Sequence, residues 1–358
     1  MKKKHRGFHI LLAVAVLLVL AVVIPAALNR ISSSRFDDLD ETDRKVLSEL
    51  NTYIDSERRQ SVWQEYRLGD HAILAIHGRL GRAYLVNPEK EVNSLFAKKV
   101  ELPESYSITV YRISSTTPQL LPFLLKGNFN TVGDELKLLG SEVYFTRYTD
   151  DSVTGACKSD HYITFLAHES FHYYVQGEWT KVGRFDTSDL TDRDLDLLEA
   201  EYQVLAQIQE TLEDGGDQAE LQGLAQAYVQ AADARFEASS AYMKQETQAE
   251  TEEGTATYIG VQASQRVGYD FGIMLFAGAG SEPTQTYFDT VVPLIRKGKM
   301  DRFAIATDMV YQSGGLLCQM LDALGVPGWQ QQLNAQTKES PVTLYDILRD
   351  YVKTLPSA

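Results

Sequence analysis

The chain has 358 residues, 44% hydrophobic and 23% charged, a balance that suits a folded protein and excludes a disordered one. Its net charge of −15 argues against a nucleic-acid partner, because phosphate backbones are bound by basic faces. The two cysteines, Cys157 and Cys318, are too few for a disulfide scaffold or a cysteine-rich metal cluster; one bridge or two buried thiols both fit.

Lys2, Lys3, Lys4 and Arg6 precede an apolar run from about Phe8 to Leu28 that holds no charged residue. About 20 such residues cross a bilayer core as a helix. Residues 1–7 therefore read as a cytoplasmic basic stub, 8–28 as a transmembrane signal-anchor and 29–40 as a polar stalk. The basic cluster stays in the cytoplasm, which puts the C-terminal domain on the extracytoplasmic side of the cell membrane. The rival reading is a signal peptide cut near Ala26-Ala27, which secretes the same domain. The anchor is favoured because the apolar run exceeds a usual signal core and no A-x-A site follows it. The acidic surface would not adhere to anionic lipid, so the helix alone tethers the domain to the bilayer.

Leu39 to about Arg67 is charged with recurrent apolar positions at Val46, Leu47, Leu50 and Ile54, the pattern of an amphipathic helix. Ala72–Ile76 and Ala83–Val86 flank Gly78 to Gly81 and predict a hairpin closed by Asn87-Pro88. Tyr106 to Ile113 and Val143 to Tyr148 supply further strands. From Asp160 onward the reading is helical. Ser159 or Asp160 caps a helix from His161 to about Gln176. Apolar stripes follow at Leu195–Leu212, at Leu221–Phe236 after Gly215-Gly216, at Leu316–Leu324 and at Leu344–Val352. Gly268 to Gly280 reads as a glycine-rich loop. The fold class is α+β, predominantly helical, with a small, mainly antiparallel sheet.

The first long helix after the sheet carries His168-Glu169-Ser170-Phe171-His172, an H-E-x-x-H motif. Residues four apart on a helix share one face, so His168 and His172 can grip one Zn²⁺ while Glu169 faces its water. A catalytic zinc needs a third protein ligand and an open position. The metzincin continuation is absent, since Tyr173 to Glu178 contains no further histidine. The remaining option is a carboxylate from a later helix, and Glu253 in Glu252-Glu253-Gly254-Thr255-Ala256-Thr257-Tyr258 is the best candidate. Gly254 lets that helix approach the zinc helix. Glu199 and Glu201 are rivals for the same role, or supports for a ligand histidine. A bland alternative makes Glu250, Glu252 and Glu253 a solvated acidic cluster opening a helix. His71, His77 and His161 default to structural roles.

With H-E-x-x-H at His168, Glu169 and His172, and E-G-x-A-x-Y at Glu253, Gly254, Ala256 and Tyr258, the chain resembles the gluzincins. In these zinc metallopeptidases the third ligand is a glutamate. The spacing departs from their well-studied aminopeptidases, and the substrate-amine anchor motif of those enzymes is missing. More loosely, residues 155–335 resemble uncharacterised bacterial zincin-like exported proteins. The resemblance implies a zincin-like two-lobed domain over 41–358, with a sheet-containing lobe at 41–180 that includes the zinc helix and a helical lobe at 190–358. It also implies an edge strand that aligns the substrate backbone, for which Val143–Tyr148 is the candidate, and a tyrosine or histidine that stabilises the oxyanion. Tyr311, opening a glycine-containing turn, is the candidate for that role and Tyr258 the alternative. The implied activity is hydrolysis of a peptide or protein substrate outside the cytoplasm. A catalytically inactive zincin-fold binding or envelope-assembly protein is the alternative. A third reading keeps the metal and cleaves another amide, such as one in cell-wall material.

Overall fold

The computed structural model describes residues 2–78, 82–154, 161–269 and 288–356. The chain divides into two compact units: Met1–Ser61 with Arg67–Thr154, and Val62–Tyr66 with Gly155–Ala358. The boundary read from the sequence, near residue 180, falls inside the second unit, which therefore contains the H-E-x-x-H helix. Cys157, the Ser159 and Asp160 caps and most of the glycine-rich stretch after Gly268 lie outside the described residues.

The first unit opens with α1 (Lys2–Ile31), whose segment Leu11–Ile31 is long and apolar enough to cross a membrane. The residues after it are not a free stalk. The Phe36 amide donates to the Glu101 carbonyl and the Glu101 amide to the Ser34 carbonyl, while Arg112 and Lys98 donate to the carbonyls of Ser33 and Ser32. Next come α2 (Glu41–Arg59), with Asp40 capping its first turn through the Thr42 amide, and strands β1 (Ala72–His77) and β2 (Ala83–Val86). They are followed by β3 (Ala97–Lys99), β4 (Val110–Ile113), α3 (Leu121–Leu125), β5 (Lys137–Leu138), β6 (Ser141–Tyr148) and α4 (Asp151–Thr154).

The strands form one sheet in the order β3-β4-β2-β1-β6-β5. The predicted hairpin is present, with Leu74 opposite Leu85. The sheet is mixed: four of its five pairings are antiparallel, as expected, and in its centre β1 runs parallel to β6 with Leu74 beside Phe145. An unbroken apolar run such as Ala72–Ile76 suits such an inner strand, which is covered on both faces. One face packs Leu74, Leu85, Tyr111 and Phe145 against Leu120 and Phe123. The other turns Tyr84, Tyr148 and His77 toward Asp43 of α2. β6 is not an edge: β1 flanks it on one side, and β5 with Phe129 covers the other. The substrate-aligning role expected of Val143–Tyr148 loses its basis, since those backbone groups are already paired.

The second unit is helical. It contains α5 (Tyr162–Tyr174), α6 (Asp192–Glu213), α7 (Gln218–Arg266), α8 (Phe288–Arg296), α9 (Val310–Ala323), α10 (Trp329–Asn334) and α11 (Leu344–Val352). Thr191 and Thr343 open α6 and α11 with capping boxes. Two segments expected to be separate helices merge into α7, whose 49 residues are interrupted at Ser239 (φ −147°, ψ 59°). Buried Arg235 braces this bend, donating to Glu201 of α6 at 2.7 Å and to both carboxylate oxygens of Glu246 at 2.7 and 2.8 Å. Such a buried pair fixes geometry more than it adds stability.

Close helix crossings then set the position of α7. A Cβ on Gly254 would lie 2.3 Å from Gly314 Cα, and one on Gly314 would lie 2.1 Å from the Glu250 carbonyl oxygen. Gly254 therefore serves contact with α9, not with the zinc helix as its sequence position suggested. The glycine facing α5 is Gly260, where a Cβ would stand 3.0 Å from the Thr164 carbonyl oxygen and 3.5 Å from His168 Cβ. Thr164 and Ser264 join their hydroxyls across the same contact.

Candidate metal centre

His168 and His172 lie one helical turn apart on α5, whose opposite side is anchored in the core. There Phe171 meets Trp63 edge-on at 4.8 Å, and the Ser170 and Tyr66 hydroxyls are 3.0 Å apart. His161, at the start of α5, stacks on Tyr269 and supports the helix rather than joining the two histidines. Glu253 projects from the middle of α7's second half, well past Ser239. It does not open a helix, as the E-G-x-A-x-Y pattern had suggested. Its neighbours Glu250 and Glu252 are buried, which overturns the solvated-cluster reading.

The structure brings His168, His172 and Glu253 together as one group able to hold a metal ion. The two histidine Nε2 atoms stand 3.0 Å apart, and Glu253 Oε2 lies 3.2 Å from His172 Nε2 and 3.6 Å from His168 Nε2. Bonds of about 2.0–2.1 Å to a tetrahedral zinc put its ligand atoms about 3.3–3.4 Å from one another. The triangle matches that spacing.

The protonation pattern fits as well. Gln176 uses its amide N–H₂ on the Glu252 carbonyl at 2.8 Å and on Thr255 Oγ1 at 2.7 Å. Its amide oxygen is thereby turned toward His172 Nδ1, which donates to it. The proton on Nδ1 leaves the Nε2 lone pair free for a cation. Gln176 was not singled out in the sequence, although it sits four residues after His172 and so shares its face. His168 Nδ1 is buried and has no hydrogen-bond partner among the described residues. That ring is held by packing, with Tyr311 parallel to it at 5.8 Å between centroids and 7° between planes.

Burial alone would raise the Glu253 carboxyl, but the two imidazoles override it and hold the group well below the usual carboxylate range. Burial lowers the His172 ring, and its contact with Glu253 more than compensates, leaving it raised. A carboxylate and two imidazoles in such contact are a group able to hold a metal ion.

Glu169 is half-buried on α5, and its charge is felt by both His172 and Tyr311. Tyr311 belongs to the first turn of α9, directly after a π-helical segment at Ile305–Met309, and not to a glycine-containing turn. Gly314 and Gly315 mark the α7–α9 crossing instead. Burial, then the bond to Glu253, pushes the Tyr311 phenol up, so it stays a neutral O–H donor. Tyr258, the alternative, instead donates its hydroxyl to Asp322 and packs its ring on Trp329. Glu201 is committed to Arg235, and Glu199 lies 3.6 Å from Arg296, so neither rival carboxylate joins the histidines. Cys318 is a buried free thiol in α9. No protein-family model, no curated protein and no solved structure matches this chain.

Proposed function

We propose that the chain is a membrane-anchored zinc-dependent peptidase that hydrolyses peptide bonds outside the cytoplasm. The observation that carries this reading is the triangle of His168 Nε2, His172 Nε2 and Glu253 Oε2, with sides of 3.0, 3.2 and 3.6 Å. These three side chains would hold the ion, and Gln176 keeps the His172 tautomer that could bind it. When bound, zinc supplies a Lewis acid that makes water nucleophilic near neutral pH and polarises a carbonyl.

The chain's own groups do the rest. Glu169, beside the first ligand and on the same helix, takes the proton of the attacking water and returns it to the leaving amine. Tyr311 remains protonated and donates its hydroxyl to the developing oxyanion, a task for a donor already held in place. Its ring, stacked on His168, fixes that hydroxyl without using loop flexibility. The membrane reading rests on Leu11–Ile31, and the extracytoplasmic side on the basic residues before it.

Glu169→Gln removes the base and leaves the three ligands. Zinc content should stay at the wild-type level while cleavage of a peptide library falls by about 10²–10⁴-fold. A mutant as active as the wild type refutes the assignment of Glu169. A wild-type chain that binds no zinc favours the binding or assembly protein.

A further inference from the structure

We propose that the first unit does not hang from its anchor but is seated in the outer leaflet, with Leu121 and Leu125 of α3, Leu95 and Val132 inserted among the lipid chains. This rests on reading α1 as a membrane-spanning helix.

One face of α1, formed by Val22, Pro25, Ala26 and Asn29, is turned toward the protein, and Ala26 is fully buried. Asn29 is clamped from both sides: Arg112 donates to its side-chain oxygen and to its carbonyl, each at 2.8 Å, and Asn29 donates to the Arg112 carbonyl at 3.3 Å. Arg30 donates to the Ser94 carbonyl at 3.0 Å. Two turns lower, the Thr116 hydroxyl donates to the Val22 carbonyl at 3.0 Å. The helix is thus docked on the unit well before its apolar run ends.

Helix length sets the depth of this contact. The uncharged run from Phe8 to Leu28 spans about 31 Å as a helix, which a hydrocarbon core of about 30 Å uses completely. Val22 lies about 9 Å below Leu28 along the axis. The part of the unit that touches Val22 must therefore sit at or inside the headgroup boundary.

Exposed apolar side chains follow in the chain from the residues that touch α1. Outside α1, the large hydrophobic side chains exposed among the described residues are Leu95, Leu121, Leu125, Val132 and Phe303. Leu95 stands between Ser94 and Phe96, whose carbonyls accept from Arg30 and Asn29. Leu121 and Leu125 follow Thr116 through the tight turn closed by the Leu120 amide on the Thr117 carbonyl. They are 57% and 79% exposed, while Phe123 between them is buried in the sheet core, so α3 offers an outward apolar ridge. Val132 lies in the turn that Asp134 ties to Lys126, next to Leu125. An interfacial wedge of this kind binds by apolar burial and needs no basic surface, which this acidic chain lacks.

The test uses the full chain in phosphatidylcholine vesicles whose acyl chains carry bromine, a contact quencher of tryptophan. The three native tryptophans, Trp63, Trp179 and Trp329, are buried in the second unit and give a constant background. Leu125→Trp should lose on the order of half its added emission relative to unbrominated vesicles, as expected for a ring at acyl depth. Leu17→Trp, in the middle of the apolar run, reports on the anchor itself. Quenching at both positions supports the seated arrangement. Quenching at Leu17→Trp alone overturns it while the anchor stands, and covers the case in which a second copy occupies the ridge. Quenching at neither position removes the anchor and the proposal with it.

Discussion

Two groups of acids and histidine in this molecule look alike on paper and differ in what they require. In the second unit, His168, His172 and Glu253 present nitrogen and carboxylate lone pairs to one point. In the first, Asp40, Asp43 and His77 lie as close together. There, however, a cation is already in place. Arg82 Nε meets Asp43 at 2.6 Å, and its NH2 lies 3.4 Å from Asp40 and 2.9 Å from His77 Nδ1. The Tyr84 and Tyr148 hydroxyls complete Asp43 at 2.7 and 2.8 Å. That cluster is a finished ion-pair network holding α2 to the sheet. Among the described residues, no lysine or arginine is paired with the three side chains of the other, and this separates a candidate metal site from a structural knot more sharply than residue type or spacing does.

The largest contrast comes from removing one acid from each. Glu253→Ala should abolish stoichiometric zinc binding, read by metal analysis of the purified chain. Asp43→Asn should leave zinc unchanged and lower unfolding stability by roughly 2–4 kcal/mol, because it strips charge from a buried network. Retained zinc in the first variant, or lost zinc in the second, breaks the comparison.

The tyrosines sharpen it. Tyr311→Phe should keep zinc and fold while peptidase kcat drops about 10²–10³-fold, as for loss of one oxyanion donor. Tyr84→Phe should keep activity and cost about 1–3 kcal/mol in thermal or denaturant unfolding, since it leaves a buried carboxylate short of a donor.

A smaller effect belongs to Gln176→Ala, which frees the His172 ring and its tautomer. Zinc affinity should fall by about 10–100-fold in competition with a chelator, with all three ligands still present.

A pH-dependent effect separates the candidate metal ligand from a merely buried acid on the same helix. Glu250 faces Ser313, Tyr228, Glu201, Glu246 and Arg235, and burial chiefly pushes its carboxyl from 4.5 up to about 8. A carboxyl raised on folding contributes stability that is fully present below its unfolded value and is lost as pH climbs through the folded one. Unfolding curves of Glu250→Gln and wild type should therefore diverge from about pH 5 to 8. The variant should gain roughly 1 kcal/mol per pH unit. A pH-independent difference contradicts the assignment.

Much of the centre was legible in the sequence, for a physical reason. H-E-x-x-H is a local pattern, and helical geometry alone puts His168 and His172 on one face. Glu253 was singled out because a catalytic zinc would need a third protein ligand, and the fold brings it beside the two histidines. What remained hidden depends on helix crossings. Gly254 was legible as a close-approach residue, but only the fold shows that its partner is Gly314 and that Gly260 meets α5. The bend at Ser239 was missed because no proline or glycine marks it. The one parallel pairing, β1 with β6, was missed for a related reason. The runs of β1 and β6 are apolar on both faces, and a sequence so patterned does not declare its neighbour's direction. Gln176 lay on the ligand face, yet its value comes from two acceptors on α7, brought near only by folding.

The most direct measurement is X-ray absorption at the zinc edge of the purified full chain. The account predicts one zinc per chain with only nitrogen and oxygen neighbours at about 2.0–2.1 Å, including outer-shell scattering from two imidazoles. Absence of zinc, or a first shell containing sulfur or a third imidazole, contradicts it.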